Sequence, residues 1–346
     1  MNIWQIATGE TGRDYRRIFF DYDVMALGPG MYGDAYKVDY ADGVPNSAKS
    51  QVHNFAHLPK PGDRVIMRFG KEIIGVGQIP SGKDSQYLYH EAFRCVYGWD
   101  LRHCQRVVWA KDVNLKDFKG AYADTKRKPS FTQVHEKAIV DKVKAFDDKL
   151  FDRSLKSLPK AGFDEYSYDE LGTELFKAGM SNKNIEDILK ALEQADRLWW
   201  WYDKENKGRP SEQEIISHMI LPIFLGLGWS HQQMAVEWQK VDVAFFKNMP
   251  AQSENAVMIL EAKGWGQALT EAFSQPQGYI KSLDLKRVKC IVLTDGANIF
   301  LYGKKKNCFC PEPIGYINIW SLQKQYLLPK NTSIAETLVK LQPSAM

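Results

Sequence analysis

Apolar and polar residues alternate over Ile3-Trp4-Gln5-Ile6-Ala7. Successive side chains of a strand point to opposite faces, so this predicts a half-buried strand. Pro61-Gly62-Asp63 is a turn signal that launches the apolar run Arg64–Phe69. After a break at Gly70-Lys71, the run resumes over Ile73–Ile79. The pair predicts a hairpin, and the glycines in its second arm predict a bulged or sharply curved strand. Gly28-Pro29-Gly30 marks a further turn. Strands are also predicted at 92–97 and 106–109, and several short strands with turn punctuation predict a small β-barrel.

The period lengthens after Val134. Ile139, Val143, Phe146 and Leu150 predict one helical stripe, and Leu171, Leu175 and Phe176 begin another. Ser181 supplies N-cap chemistry to a third helix, whose Ile185, Ile188, Leu189 and Leu192 face one way. Trp199-Trp200-Trp201 closes it and reads as core packing between domains rather than a ligand platform. Before these helices, Lys116, Lys119, Lys126, Arg127, Lys128 and Pro129 predict an exposed connection. From about 206, a helix through Glu212, Ile215, Ile216, Met219 and Ile220 is predicted to end near Pro222 and Gly226. Strands follow at 235–246 and 256–262, a helix at 267–282, a strand at 288–294, a turn at Asp295-Gly296 and a strand at 299–302. That order describes a sheet flanked by helices. The chain is therefore predicted to be an α+β multidomain protein, with a β-barrel region over 1–115, a linker and helical region over 116–205 and an α/β domain over 206–325.

A length of 346 residues, 44% of them hydrophobic, suffices for two or three cores at roughly 100–200 residues per domain. No apolar run approaches the roughly 18 residues of a membrane span, and MNIWQIATGETGRDYRR has no apolar signal core. A cytoplasmic protein with no membrane partner is expected. The net charge of +4 neither demands nor excludes nucleic acid, because an acidic site can mask a basic groove elsewhere. The five cysteines form no CxxC pair, and Cys308-Phe309-Cys310 is too tight for a zinc knuckle, so reduced thiols are expected. There is no phosphate-binding GxxxxGK[ST] loop and no G-x-S-x-G elbow, which argues against an NTPase and against a serine hydrolase of that class.

The chemistry concentrates in Glu212, Asp242 and Glu261-Ala262-Lys263. The apolar run 256–260 ends abruptly in alternating charge, and positions 261 and 263 share one face of a strand. Asp242 interrupts the neighbouring apolar run. Two carboxylates and the Ala262 carbonyl are hard oxygen donors of the kind Mg²⁺ prefers. A lysine beside them can orient water and offset charge building on a phosphate. The competing reading is an exposed ion pair at a strand edge; the company of Asp242 and Glu212 weighs against it.

This pattern resembles the PD-(D/E)XK nuclease superfamily, and most closely the nuclease domain at the start of type I restriction subunits. Ser211-Glu212 followed by Leu221-Pro222 and Leu225–Trp229 is similar to that group's first helix. Gln275-Pro276-Gln277-Gly278-Tyr279 is similar to its Q-x-x-x-Y motif, and Thr294-Asp295-Gly296 with 299–302 to its closing hairpin. The likeness spans about 206–305; Val241 stands where the family usually has proline, and Glu214 rivals Glu212 as the helical acid. The resemblance implies Mg²⁺ held by Asp242, Glu261 and the Ala262 carbonyl. It gives Glu212 an assisting role, has Lys263 position the attacking water, and makes Gln275 and Tyr279 supporting residues.

Residues 1–112 resemble the EVE branch of PUA-like domains, small barrels that read modified bases. The pieces are Trp4-x-Ile6-Ala7, Gly62-Asp63-Arg64-Val65, Ile74-Gly75-Val76-Gly77 and His103-x-x-Arg106-x-Val108-Trp109. Reading a flipped base requires aromatic faces and polar groups for its edge. Trp4, Phe20, Tyr32 and Trp99 are candidates for the first, Asp21 and Asp23 for the second, and Arg17 or Arg68 for phosphate; Trp109 is assigned to the core. Together the two resemblances imply a type IV-like, modification-dependent endonuclease. It would act as a homodimer on double-stranded DNA carrying 5-methyl- or 5-hydroxymethylcytosine. A reader with an inactive nuclease scaffold, or a nuclease for modified RNA, remains open. Lys281, Lys286, Arg287 and Lys289 could follow a DNA backbone, whereas Lys304-Lys305-Lys306 reads as solvated surface.

Overall fold

The computed structural model describes residues 1–9, 14–37, 46–82, 87–111, 113–119, 129–160, 164–202, 208–265, 269, 271–305, 308–330 and 332–346. Lys126, Arg127, Lys128, Gln267 and Lys306 lie outside these. The protein is a mixed α and β chain that divides into two compact units, 1–162 and 163–346. The region 116–205 falls on both sides of that division.

In the first unit, β1 (Ile3–Ala7) forms where the alternation predicts it. It pairs in parallel with β3 (Arg64–Phe69), which turns back into β4 (Glu72–Gln78) as the predicted hairpin. With β7 (Val108–Trp109) and β8 (Phe131–Gln133) they form a five-stranded sheet in the order β7-β4-β3-β1-β8. A second sheet has the order β2-β6-β5, with β2 at Val24–Leu27, β5 at Tyr87–Tyr89 and β6 at His103–Arg106. Only Val107 separates β6 from β7, and its N–H donates to the Asp23 carbonyl. One extended segment therefore passes from sheet to sheet. A Cβ on Gly77 would strike Val107 and Trp109, which explains why glycine stands in β4 at this crossing.

Three expectations for this unit need correction. Among the described residues the pairings leave both sheets open, so no closed barrel forms. The strand expected at 92–97 is instead a short 3₁₀ turn, Glu91–Phe93, because the His90 ring accepts the Ala92 N–H. Such local bonds compete with a strand ladder. Beyond 115, Phe118, Val134, Ile139, Val143 and Phe151 pack with Ile3, Ile66 and Val76 in one core, so this stretch is not simply an exposed connection. The helix α3 (Lys137–Lys144) buries Ile139 and Val143 and ends before Phe146 and Leu150. The unit also holds α1 (Arg16–Tyr22) and α2 (Asn46–His57), which the pattern did not announce.

In the second unit, α4 (Tyr168–Lys177) and α5 (Asn182–Trp200) start at the side-chain caps of Ser167 and Ser181. Trp199 is buried against Trp265 and Trp320, but Trp200 and Trp201 are exposed. Consecutive helical residues point in different directions, so only one of the three can face the core. The next helix begins as α6 (Glu212–Glu214), widens into a π turn over Ile215–Ile220 just before Pro222, and ends as α7 (Leu221–Gly226).

The sheet order is β14-β13-β12-β11-β10-β9, with β15 also on β13. The strand expected over 235–246 is two, β9 (Met234–Trp238) and β10 (Val241–Phe246), joined through Gln239 and Lys240 at positive φ. β11 (Ala256–Ala262) is buried at every position and antiparallel to β10. The chain then passes through α8 (Ser274–Ser282) to β12 (Cys290–Thr294), parallel to β11, as a β-α-β crossover. β13 (Asn298–Lys305) returns through the predicted turn, flanked by β14 (Cys308–Phe309) and β15 (Gly315–Asn318). Helix α9 (Ile334–Lys340) closes the unit beyond 325. The five cysteines are free thiols, and among the described residues no helix is long and apolar enough to cross a membrane.

Candidate active site in the second unit

The register of β10 and β11 pairs Val243 with Leu260, which puts Asp242 and Glu261 one step further along, side by side at the end of the ladder. There the backbone pairing stops. The Ala262 N–H donates to Asp242 Oδ2 (2.7 Å) instead of to the backbone of β10. A strand residue's N–H and C=O point to the same edge, so the Ala262 carbonyl also lies on the Asp242 side, beyond the last ladder pair. The side chains of Glu261 and Lys263 meet through an ion pair of 2.5 Å. Glu212 approaches from the helix, and its Oε1 accepts the Gly264 N–H at 2.9 Å. Glu214 is otherwise engaged: it completes the capping box with Ser211 and accepts the Tyr202 hydroxyl, so of the two acids it is Glu212 that bonds to the chain just beyond β11.

The electrostatics follow from crowding acids at a buried strand end. Glu261 is 1% exposed. Burial pushes its carboxyl up; the Lys263 hydrogen bond opposes this and the charges of Asp242 and Glu212 add to it. Burial also raises Asp242, with the Ala262 N–H and Lys263 opposing and Glu212 and Glu237 adding. For Lys263 burial acts downward, but the Glu261 hydrogen bond and the three surrounding carboxylates outweigh it, and the net shift is upward. Glu261 Oε2 is buried with no hydrogen-bond partner among the described residues.

Among the described residues, no three His, Cys, Asp or Glu side chains form a preassembled metal cage. The donor chemistry nevertheless suits a hard divalent cation, with an orphaned carboxylate oxygen, a second carboxylate and a carbonyl at the ladder's end. Asp242, Glu261 and Ala262 are the residues that could hold one. Gln275 lies exposed on α8, which packs against β11, and its amide donates to the Tyr279 hydroxyl at 2.8 Å. The structure thus brings Glu212, Asp242, Glu261, Ala262 and Lys263 together, and places Gln275 with Tyr279.

The candidates in the first unit are spread out. Trp4 is buried, stacked on Phe131, with its indole N–H donated to Asp63 Oδ2 at 2.9 Å. Phe20 and Asp21 lie on α1, Phe20 edge-on to Trp109 and Asp21 beside Arg17. Tyr32 and Trp99 sit, half-buried, on two loops joined by the bond from the Gly30 N–H to the Asp100 carbonyl. Asp23 is fully buried and bound by Arg153, so it offers no edge to a ligand. Sequence reasoning passed over the groups around Pro29. The buried His103 ring meets the Tyr87 hydroxyl (2.6 Å) and the Pro29 carbonyl (3.0 Å), and the Tyr89 hydroxyl donates to Gly30. Tyr36, whose ring is exposed, packs on Tyr87 and His57. The spacing of Tyr87 and Tyr89, on one face of a short strand, was the available signal.

Compared with known proteins, the chain matches no family model and no curated protein.

Proposed function

We propose that the second unit is a phosphodiesterase of the PD-(D/E)XK kind and that the first reads a modified base. The whole would be a type IV-like, modification-dependent DNA endonuclease. The observation that carries this reading is the meeting of Asp242, Glu261 and Lys263 at the end of one strand ladder, with the buried Glu261 Oε2 lacking a partner. A scaffold gains nothing from burying such a group. Asp242, Glu261 and the Ala262 carbonyl would hold Mg²⁺. When bound, that ion supplies positive charge against the phosphate oxygens and acidifies water.

The rest of the chemistry belongs to side chains. Lys263, anchored by Glu261, orients the attacking water and offsets charge on the phosphate. Glu212, fixed by the Gly264 N–H, faces the same space and can assist in holding water. Water adds to phosphorus, the phosphorus–oxygen bond to one sugar breaks, and a phosphate monoester and a free hydroxyl result. Phe20, Tyr32 and Trp99 supply partly exposed rings for a flipped base, with Asp21 for its polar edge. One centre per chain implies a dimer, or two binding events, for cutting both strands.

The test is a Mg²⁺-dependent cleavage assay on matched DNAs, unmodified or carrying 5-methylcytosine, 5-hydroxymethylcytosine or N6-methyladenine, with modified RNA alongside. Cutting confined to one modified DNA supports both assignments. Equal cutting of all DNAs discards the reader; binding of modified DNA without cutting discards the nuclease.

A further inference from the structure

At the other end of the second unit's sheet a cavity of about 250 Å³ is lined by Lys247, Asn248, Asn255, Val257, Arg287, Lys289 and Met346. Topology collects these residues. β10 runs away from Asp242, and Lys247 follows its last residue. Asn255 immediately precedes β11, which ends at Glu261. Lys289 precedes β12, and its backbone N–H donates to the Val257 carbonyl at 2.8 Å. Val257 and Glu261 lie about 13 Å apart at 3.3 Å per strand residue, so the cavity is separate from the carboxylate site.

Three cationic side chains and, among the described residues, no acidic side chain line this concavity, and the main-chain oxygen of Met346 already engages one of the three, Lys247. Lys247 is fixed in place, its ammonium donating to the main-chain oxygen of Met346 and its backbone N–H to the Asn255 carbonyl. The side chains of Arg287 and Lys289 have neither a hydrogen bond nor an ion pair among the described residues. Their neighbour Lys286 differs, because Asp284 neutralises it at 2.9 Å. Cations converging on a concave surface repel one another and focus a positive potential that an anion relieves. The Arg287 guanidinium fork and the Lys289 ammonium, beside an asparagine amide, match the oxygens of a phosphate group.

We propose that this cavity is a phosphate-binding pocket, distinct from the carboxylate site. It would take a phosphate either of a nucleic-acid backbone or of a free phosphate compound. The inference does not rest on the nuclease reading.

The test uses the full chain in EDTA and reads binding only, so that a failure of the nuclease assignment leaves it untouched. Pyrophosphate is titrated calorimetrically, and a duplex DNA is followed by anisotropy across a salt series. The variant Arg287→Ala/Lys289→Ala removes two side chains without partners. The control Lys183→Ala/Lys190→Ala removes equal charge from the exposed face of α5. Loss of pyrophosphate binding by tenfold or more in the first variant alone supports a free-phosphate site. A weaker duplex affinity, with the salt slope smaller by about 2 in that variant alone, supports a backbone contact. The proposal is overturned if the wild-type chain binds neither probe, or if the two variants behave alike. Should the double variant fail to fold, Lys289→Glu is read in the same way.

Discussion

The Asp23 carboxylate is wholly engaged in structure, accepting two bonds from the Arg153 guanidinium and one from the Lys156 N–H. Burial pushes its pKa up, but the Arg153 and Lys156 bonds and charges outweigh burial, and the net shift is downward. A lowered folded-state pKa means stability that is fully present above the unfolded value of about 3.9 and is lost as pH falls through the folded value. Asp23→Asn should therefore cost about 3 kcal/mol at pH 7, with the difference from wild type shrinking below pH 4. Urea melts at the two pH values check this; an equal difference at both would remove the ion pair from the account. At the other centre, Lys263→Ala should lower the cleavage rate about 10²–10⁴-fold while leaving modified-DNA binding intact. Retained cutting in a single-turnover assay would end the role given to Lys263.

At the scale of elements, most strands and helices of the second unit were legible because their apolar periods are long and their caps are side chains. Ser181 and the abrupt end of the 256–260 run both announced themselves. The β9–β10 turn did not, because Gln239 and Lys240 adopt positive φ without the Asn-Gly pair that usually marks such a turn. Nor did the 3₁₀ turn at Glu91–Phe93, set by one ring–backbone bond, or the crossing of β6 into β7. Asp242 and Glu261 were legible because charge interrupts apolar strands there. The cationic cavity was legible only in part, since Lys247 and Arg287 meet through topology rather than spacing. Packing of elements makes its own prediction. A Cβ on Gly226 would meet the α5 backbone at Asp187 and Ile188, 2.9 Å away, whereas one on Gly278 in α8 meets nothing within 4 Å. Gly226→Ala should destabilise by about 1–3 kcal/mol. Gly278→Ala should be neutral or stabilise by about 0.5–1 kcal/mol through its helix propensity. Thermal melts of the two variants compare them directly.

At the scale of the whole molecule, the two compact units each carry a separate set of candidate groups, rings in one and the acid–lysine set in the other. Recognition and hydrolysis should then be separable by mutation. Phe20→Ala/Trp99→Ala alters only partly exposed side chains of the first unit. It should equalise the binding and cutting of modified and unmodified DNA while the Mg²⁺-dependent rate per bound complex stays within about twofold. Withdrawing Mg²⁺ with EDTA should do the reverse, stopping cutting and keeping the preference for modified DNA, because the candidate rings belong to the first unit and the acids that would hold the ion to the second. Both arms are read from one set of matched duplexes, by anisotropy for binding and gel for cutting. If the double variant keeps its preference, the base is read elsewhere, and the rings around His103 and Tyr36 become the next to change. If it loses cutting in proportion to preference, base reading and hydrolysis are coupled, and the separable arrangement is wrong.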